Sequence, residues 1–567
     1  MNIVQKHGCP HVDYNLLEYK YMPGADTPCN VADALHAMAR LSPDTPAIIY
    51  PNGRVRHTYH ELSTESCQLA AGLLQAGFRN GMRTALLVPP SPELFALTFA
   101  LFRIGAVPVF IDPGIGAGNF GKCLADAEPE AFVGTVKAHL LRKIMRWAKE
   151  TVRLSIVVNG SALWGVPLSK IRADGMARSL ETAAATTTVD TAAILFTSGS
   201  TGPPKGVIYT HGTFAAQISI LRQTYQISPG EVDLPTFPLF ALFAPALGMT
   251  SLIPDMDFTR PGSVDPKAIL GPVTAYSATT MFGSPALLNR VGRYGAMHNV
   301  RLPCLKRVIS AGAPVAPVVL QRFSSLLTDD AEIFTPYGAT EALPVCSIGS
   351  REIIADTGRM TGEGHGVCVG RPVTGTTVAI IPVSDSEITD WSTVPLLSPC
   401  EVGEIAVKGR QVSAGYYNNP AATLLSKIHD PDGGFWHRMG DLGYLDHSGR
   451  LWFCGRKAHR VITARQTLYT IPVEGVFNTH PRVFRTALVG IGVPGRQIPV
   501  LCVELEAGIS RREQGQIRDE LFVIGSSHPH TREIKSMIFH PGFPVDIRHN
   551  AKIFREKLAL WAERRLT

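Results

Sequence analysis

The chain has 567 residues, 45% hydrophobic and 18% charged, with 54 basic against 47 acidic side chains and a net charge of +7. That composition excludes a disordered segment, and the length exceeds what one core supports, so about two to four domains are expected. The charge is mild and no basic block carries interleaved aromatics, which sets nucleic-acid binding aside.

Ten cysteines are dispersed from Cys9 to Cys502 with no Cys-x-x-Cys pair, the usage of a reduced, cytoplasmic protein. The first residues lack the apolar run of a secretory signal. The most lipid-like stretch, Leu94 to Ile111, is interrupted by Arg103, Gly105 and Pro108, so no membrane span is expected.

Taken in order, residues 30–190 alternate helix and strand signals. A helix opens at Tyr59-His60-Glu61-Leu62 and keeps Leu69, Leu73 and Leu74 in period; residues 84–88 read as a strand, 92–104 as a helix and 107–111 as a strand. Such alternation predicts an α/β domain with a mostly parallel sheet. Gly116-Ala117-Gly118-Asn119-Phe120-Gly121 matches Gly-x-Gly-x-x-Gly after a strand, but no acidic residue lies between Glu130 and Glu150, where a dinucleotide site would place one.

Residues 197–206 read Thr-Ser-Gly-Ser-Thr-Gly-Pro-Pro-Lys-Gly, between an apolar strand at Ala192 to Phe196 and a second at Val207 to Thr210. Backbone N–H groups and hydroxyls on such a loop can cradle phosphate oxygens, with Lys205 adding charge. Pro204 and Gly206 stand where a nucleotide-hydrolase P-loop needs Gly and Ser or Thr, so that motif is excluded. The α/β pattern recurs over 190–345, and a Pro/Gly-rich β stretch with turns at Asp432-Gly433 and Ser448-Gly449 follows. A small α+β unit closes the chain.

The loop Thr197, Ser198, Gly199, Ser200, Thr201, Gly202 and Lys205 resembles the phosphate-binding loop of the adenylate-forming enzymes (acyl-CoA synthetases, luciferases, peptide-synthetase adenylation domains). Later motifs stand in that family's order. Ser310-Ala311-Gly312-Ala313-Pro314 resembles the turn lying against adenine. Tyr337-Gly338-Ala339-Thr340-Glu341 resembles the next signature, which implies Tyr337 and Gly338 at the adenine, Thr340 on a phosphate and Glu341 on Mg²⁺. One carboxylate beside substrate phosphates suffices for that ion. Asp441 resembles the ribose clamp and Arg456 its neighbour on nucleotide oxygens. Lys552, in His549-Asn550-Ala551-Lys552-Ile553-Phe554-Arg555, resembles the adenylation lysine, which supports charge developing at the α-phosphate. The resemblance implies ATP and Mg²⁺ as cofactors. It also implies a large domain, 1–455, of α/β subdomains plus a distorted β-barrel-like subdomain, and a small mobile α+β domain, 456–567.

The acceptor is the open question. Pro238-Leu239-Phe240-Ala241 departs from the common Pro-Leu-Phe-His; Ala458 replaces the usual hinge Asp or Lys; Arg465 takes the place of the glycine opening a thiolation loop, while Glu474 keeps register; Ala551 replaces Gly. A bulky residue where backbone passes close to pantetheine argues against a CoA tunnel. The stretches at 237–257 and 281–288 and the ending at 549–558 resemble the olefin-pathway β-lactone synthetases. That resemblance implies adenylation of a long-chain 2-alkyl-3-hydroxy fatty acid, closure by its own β-hydroxyl, and companion thiolase, hydrolase-like and reductase proteins. Phe240, Ala241, Phe243, Met249, Met281 and Phe282 are the candidate acyl-pocket residues. Two alternatives stand beside this reading: a fatty-acyl-CoA or acyl-carrier-protein ligase, and a non-catalytic acyl-nucleotide binder, against which the retained Lys205, Glu341, Asp441, Arg456 and Lys552 argue.

Overall fold

Two large sheets, a three-stranded sheet and a two-stranded one organise the described residues. The structure, a computed structural model, describes residues 27–51, 55–178, 180, 182–196, 203–545 and 552–566. The first sheet has seven strands in the order Val166–Pro167, Leu154–Val158, Ala131–Thr135, Arg83–Leu87, Val107–Ile111, Thr191–Phe196 and Gly206–Thr210. All neighbours are parallel except the last pair, which flanks the phosphate-type loop. Tyr59–Gln75 is a helix started by a capping box of Thr58 and Glu61. It packs with Pro92–Arg103 in the core that includes Leu69, Leu73, Phe95 and Leu97.

In the second sheet Val232–Pro235, Thr280–Phe282, Arg307–Ile309 and Glu332–Ala339 run parallel. Their carboxyl ends therefore lead into the segments 236–240, 283–284, 310–314 and 340–341, the crevice position where open α/β sheets bind ligands. The same sheet continues antiparallel through Ala342–Gly349, Val367–Pro372, Leu451–Arg456, Phe435–Leu445, Gly403–Gly409 and Thr376–Ile381. This antiparallel part is the expected barrel-like subdomain; among the described residues it stays open, with Thr376–Ile381 at its edge.

Beyond Arg456 the strands Val483–Ile491, Ile498–Leu505 and Ser536–Phe539 form a separate sheet. Helices Thr470–Phe477, Arg511–Ser526 and Arg555–Leu566 pack on it around Phe477, Leu501 and Leu521 on one side and Val500, Leu558 and Ala562 on the other. The Gly-x-Gly-x-x-Gly segment enters the helix Ala117–Ala127. Its third glycine serves packing, because a Cβ on Gly121 would stand 2.6 Å from Trp147 Nε1.

Candidate active site

A cavity of about 2150 Å³ lies where the parallel carboxyl ends, the antiparallel subdomain and the C-terminal unit meet. Gly312, Ala313, Tyr337, Gly338, Thr340, Glu341, Asp441, Arg456, Lys205 and Lys552 all line it, although they come from segments spread over some 350 residues of chain. Residues 197–202 (Thr197, Ser198, Gly199, Ser200, Thr201, Gly202) and Ala551 lie outside the described residues.

The centre of the cluster is Asp441. It sits on Phe435–Leu445 directly across from Arg456 on Leu451–Arg456. Tyr337 Oη donates to its Oδ2 at 2.6 Å. Oδ1 is buried and pairs with Arg456 Nη1 at 3.1 Å, off the hydrogen-bonding direction, and among the described residues it accepts no hydrogen bond. Burial pushes the carboxyl up, and the Arg456 charge and the Tyr337 hydroxyl oppose the shift. Glycine is required at 455, where φ is +122° and a Cβ would meet Thr470 Oγ1 at 2.3 Å.

Glu341 forms the second part. Tyr416 Oη donates to its Oε1 at 2.7 Å, and Ser413 N donates to its carbonyl at 2.8 Å. Lys205 Nζ stands 4.9 Å above the Tyr416 ring, which ties the loop exit to the carboxylate. Tyr209 Oη donates to the Thr340 carbonyl at 2.5 Å. Lys427 donates to the Ser413 carbonyl, and burial pulls its ammonium down to about 7.

Lys552 reaches the cavity from the C-terminal unit. Three residues on, Arg555 pairs with both oxygens of Glu474, whose Oε1 also accepts from Leu488 N at 2.8 Å. Lys552 is close enough to Asp441 for its charge to favour the ionised carboxylate. His459 Nε2 stands 3.1 Å from Glu556 Oε1, joining residues 457–459 to the final helix.

The acyl-pocket expectations divide. Phe240, Phe243, Met249 and Phe282 line the cavity, with Phe240 and Phe282 edge to face at 4.6 Å. Ala241 and Met281 are not among its lining residues. On Thr280–Phe282 successive side chains alternate faces, so 280 and 282 face the cavity while Met281 packs with Leu234 and Leu252 in the core. Ala241 ends the short helix Pro238–Ala241 and is buried in the core with Leu247, its carbonyl accepting from Ser251 Oγ at 3.4 Å. Arg465 also lies away from the cavity: its side chain is 81% exposed and pairs with Glu533 at 3.4 Å, so the steric argument at that position does not act here. Ala458 does border the cavity.

The fold adds residues that spacing did not reveal. Tyr416 enters through an isolated bridge to Val207, a pairing across two hundred residues with no local signal. His437, 2% exposed, lies opposite Lys427 across a strand pair and lines the cavity. Asp233, paired across the strands with Thr280, lines the cavity, and burial pushes its carboxyl up to about 7 against the opposing Arg307 charge. A lone Asp in an apolar strand was the one available clue to it.

A family model for AMP-binding enzymes matches residues 35–417. The chain is 49% identical over 550 residues to the olefin beta-lactone synthetase of Xanthomonas campestris pv. campestris, covering 94% of this chain and 98% of that protein. It is 47% identical over 553 residues to the olefin beta-lactone synthetase of Stenotrophomonas maltophilia, covering 95% and 99%. Among solved structures, the O-succinylbenzoate coenzyme A synthetase of Bacillus subtilis in complex with ATP and magnesium ion superposes with a TM-score of 0.72 at 21% identity, over 93% of this chain and 98% of that one. At that identity the likeness concerns the fold.

Proposed function

The chain belongs to the AMP-binding enzyme family and, within it, to the olefin β-lactone synthetases, and from that premise we propose that it converts a long-chain 2-alkyl-3-hydroxy fatty acid to a β-lactone through an acyl-adenylate. The observation that carries the adenylation step is Asp441: a buried carboxylate braced by Tyr337 and Arg456, one of whose oxygens accepts no hydrogen bond among the described residues. That unsatisfied acceptor fits a ribose hydroxyl, since a buried oxygen without a donor costs about 1–3 kcal/mol. Tyr337 and Gly338, with Gly312 and Ala313, would flank the base, and Arg456 would hold nucleotide oxygens.

Glu341, held by Tyr416, would carry Mg²⁺ together with nucleotide phosphates; the ion's chemistry there is neutralisation of phosphate charge. Thr340 and Lys205 would bind phosphate oxygens, and the loop 197–202 is assigned the same task. Lys552 stabilises the charge that develops as the substrate carboxylate attacks the α-phosphorus and pyrophosphate departs. In the second step the β-hydroxyl attacks the acyl carbonyl, a C–O bond forms, AMP leaves and the hydroxyl proton is released. The wall of Phe240, Phe243, Met249 and Phe282 keeps water from the mixed anhydride and holds the alkyl chains. An intramolecular nucleophile needs no acceptor tunnel.

Residues 1–455 would then bind ATP and acid, residues 456–567 carry Lys552, and the segment around Ala458 would be the hinge. A thiolase, a hydrolase-like protein and a reductase would supply the acid and consume the lactone, in the cytoplasm. The test is incubation with ATP, Mg²⁺ and a 3-hydroxy acid in the absence of CoA. AMP and a product lighter by one water support the reading. A requirement for CoA, with a thioester as product, overturns it in favour of an acyl-CoA ligase.

A further inference from the structure

The helix Val136–Met145 carries its apolar face outward. Ala138 and His139 are buried beneath it, and His139 Nε2 lies 2.9 Å from the Ile156 carbonyl, anchoring the helix to the sheet. Leu140 is 46% exposed, Leu141 39%, Ile144 67% and Met145 44%. Lys137, Leu140, Leu141 and Ile144 share one face by their spacing, opposite the side that the buried residues occupy. An amphipathic helix ordinarily turns such a stripe to the core, so this one is arranged for something outside the molecule.

Two further observations define the occupant. Leu163 is 77% exposed, and its neighbour Trp164 lies under Lys143, whose Nζ is 4.7 Å from the ring. This extends the apolar face into a second loop and gives it the amphipathic aromatic typical of a membrane interface. Cations frame it, Lys137, Lys143, Arg146 and Lys149 all being exposed, and no acidic residue occurs between Glu130 and Glu150. An exposed helix presenting leucines and isoleucine among cations suits a soft, negatively charged surface, which needs no shape complementarity.

We propose that this face, Leu140, Leu141, Ile144 and Met145 with Leu163 and Trp164, docks the enzyme on an anionic phospholipid bilayer. The apolar face enters the interfacial layer while Lys137, Lys143, Arg146 and Lys149 meet lipid phosphates. Peripheral docking of this kind needs no spanning helix, and among the described residues no helix is long and apolar enough to cross a membrane. Docking brings an enzyme for a water-insoluble acid to the phase that holds it.

The experiment is co-sedimentation of the whole protein with vesicles of equal parts phosphatidylglycerol and phosphatidylcholine, or of phosphatidylcholine alone. Binding to the anionic vesicles is expected, weakening with salt, and roughly fivefold weaker for each positive charge removed, hence more than about tenfold weaker for the reversal Lys143→Glu. The double variant Leu140→Ser, Ile144→Ser loses sedimentation, yet turns over a short, soluble 3-hydroxy acid at the wild-type rate, which separates this proposal from the reaction assigned above. Absence of binding to the anionic vesicles overturns the proposal. So does binding that survives both Lys143→Glu and the double serine variant, or a wild-type oligomer that the serine variant dissolves without any lipid dependence, which would assign the face to a protein contact.

Discussion

Arg555 holds Glu474 through both carboxylate oxygens, and this pair sets where Lys552 stands. Glu474 is 5% exposed on the helix Thr470–Phe477, and burial pushes its carboxyl up against the opposing Arg555 charge. The guanidinium opens the last helix, three residues beyond the lysine that faces Asp441. The lysine segment is thus braced from the C-terminal sheet's own core.

Glu474→Ala should therefore act on catalysis through position. Removing one member of a buried ion pair costs about 3–5 kcal/mol, and pyrophosphate exchange is expected to fall with it. Lys552→Ala should lower exchange by about 10²–10³-fold while leaving thermal stability unchanged. Differential scanning calorimetry beside the exchange assay separates the two; undiminished exchange by Glu474→Ala protein that is still folded at the assay temperature would mean that Glu474 only holds the fold.

Asp441→Asn should raise the KM for ATP more than the KM for the acid. The amide presents a donor where a carboxylate oxygen now stands open, and leaves the Arg456 charge unbalanced. A loss of about 10–100-fold in kcat/KM for ATP is expected, equivalent to about 1.4–2.7 kcal/mol. Steady-state kinetics with each substrate varied checks it, and an effect confined to the acid would remove Asp441 from the nucleotide.

The alternation along Thr280–Phe282 gives a paired test. Phe282→Ala, on the cavity wall, should shift the preferred chain length of the acid with a modest change in stability. Met281→Ala, 0% exposed in the core, should cost about 2–5 kcal/mol and leave chain-length preference as it was. Competition between acids of different length, together with urea unfolding, reads both.

His211 supplies a pH signature of stability. It is 1% exposed, its Nδ1 accepts from Val31 N at 3.2 Å, and burial pulls its imidazole down to about 4. A folded pKa below the unfolded value means that the unfolded chain binds the proton first. The contribution is complete above pH ~6.5 and is lost as pH falls toward ~4, up to roughly 3 kcal/mol in all. Wild type should lose more stability than His211→Gln over that window in thermal melts; parallel curves would place the acid sensitivity elsewhere.

Much of the chemistry was legible before any fold was considered. The loop at 197–206 and the motifs at 310–314, 337–341, 440–441, 455–456 and 549–555 are local strings, and their order along the chain identified an adenylate-forming enzyme. Strand and helix signals over 30–190 were equally local, because side-chain period and capping are properties of neighbouring residues. The Gly-x-Gly-x-x-Gly segment shows the limit of that information: the same letters that cradle a dinucleotide elsewhere here let a helix pass Trp147.

Sequence alone determined that an acid is activated by ATP, since each motif carries its chemistry within a few consecutive residues. Tertiary structure decided how those groups meet. Tyr337 and Asp441 are 104 positions apart, Glu474 and Arg555 81, and Tyr416 reaches Glu341 over 75. No spacing rule covers such pairs, because strand order and register, not sequence distance, bring them within hydrogen-bond reach. The cavity wall is decided in the same way: which of Met281 and Phe282 faces the cavity depends on which side of the sheet is buried against the core. That is a property of the packed sheet, not of either residue.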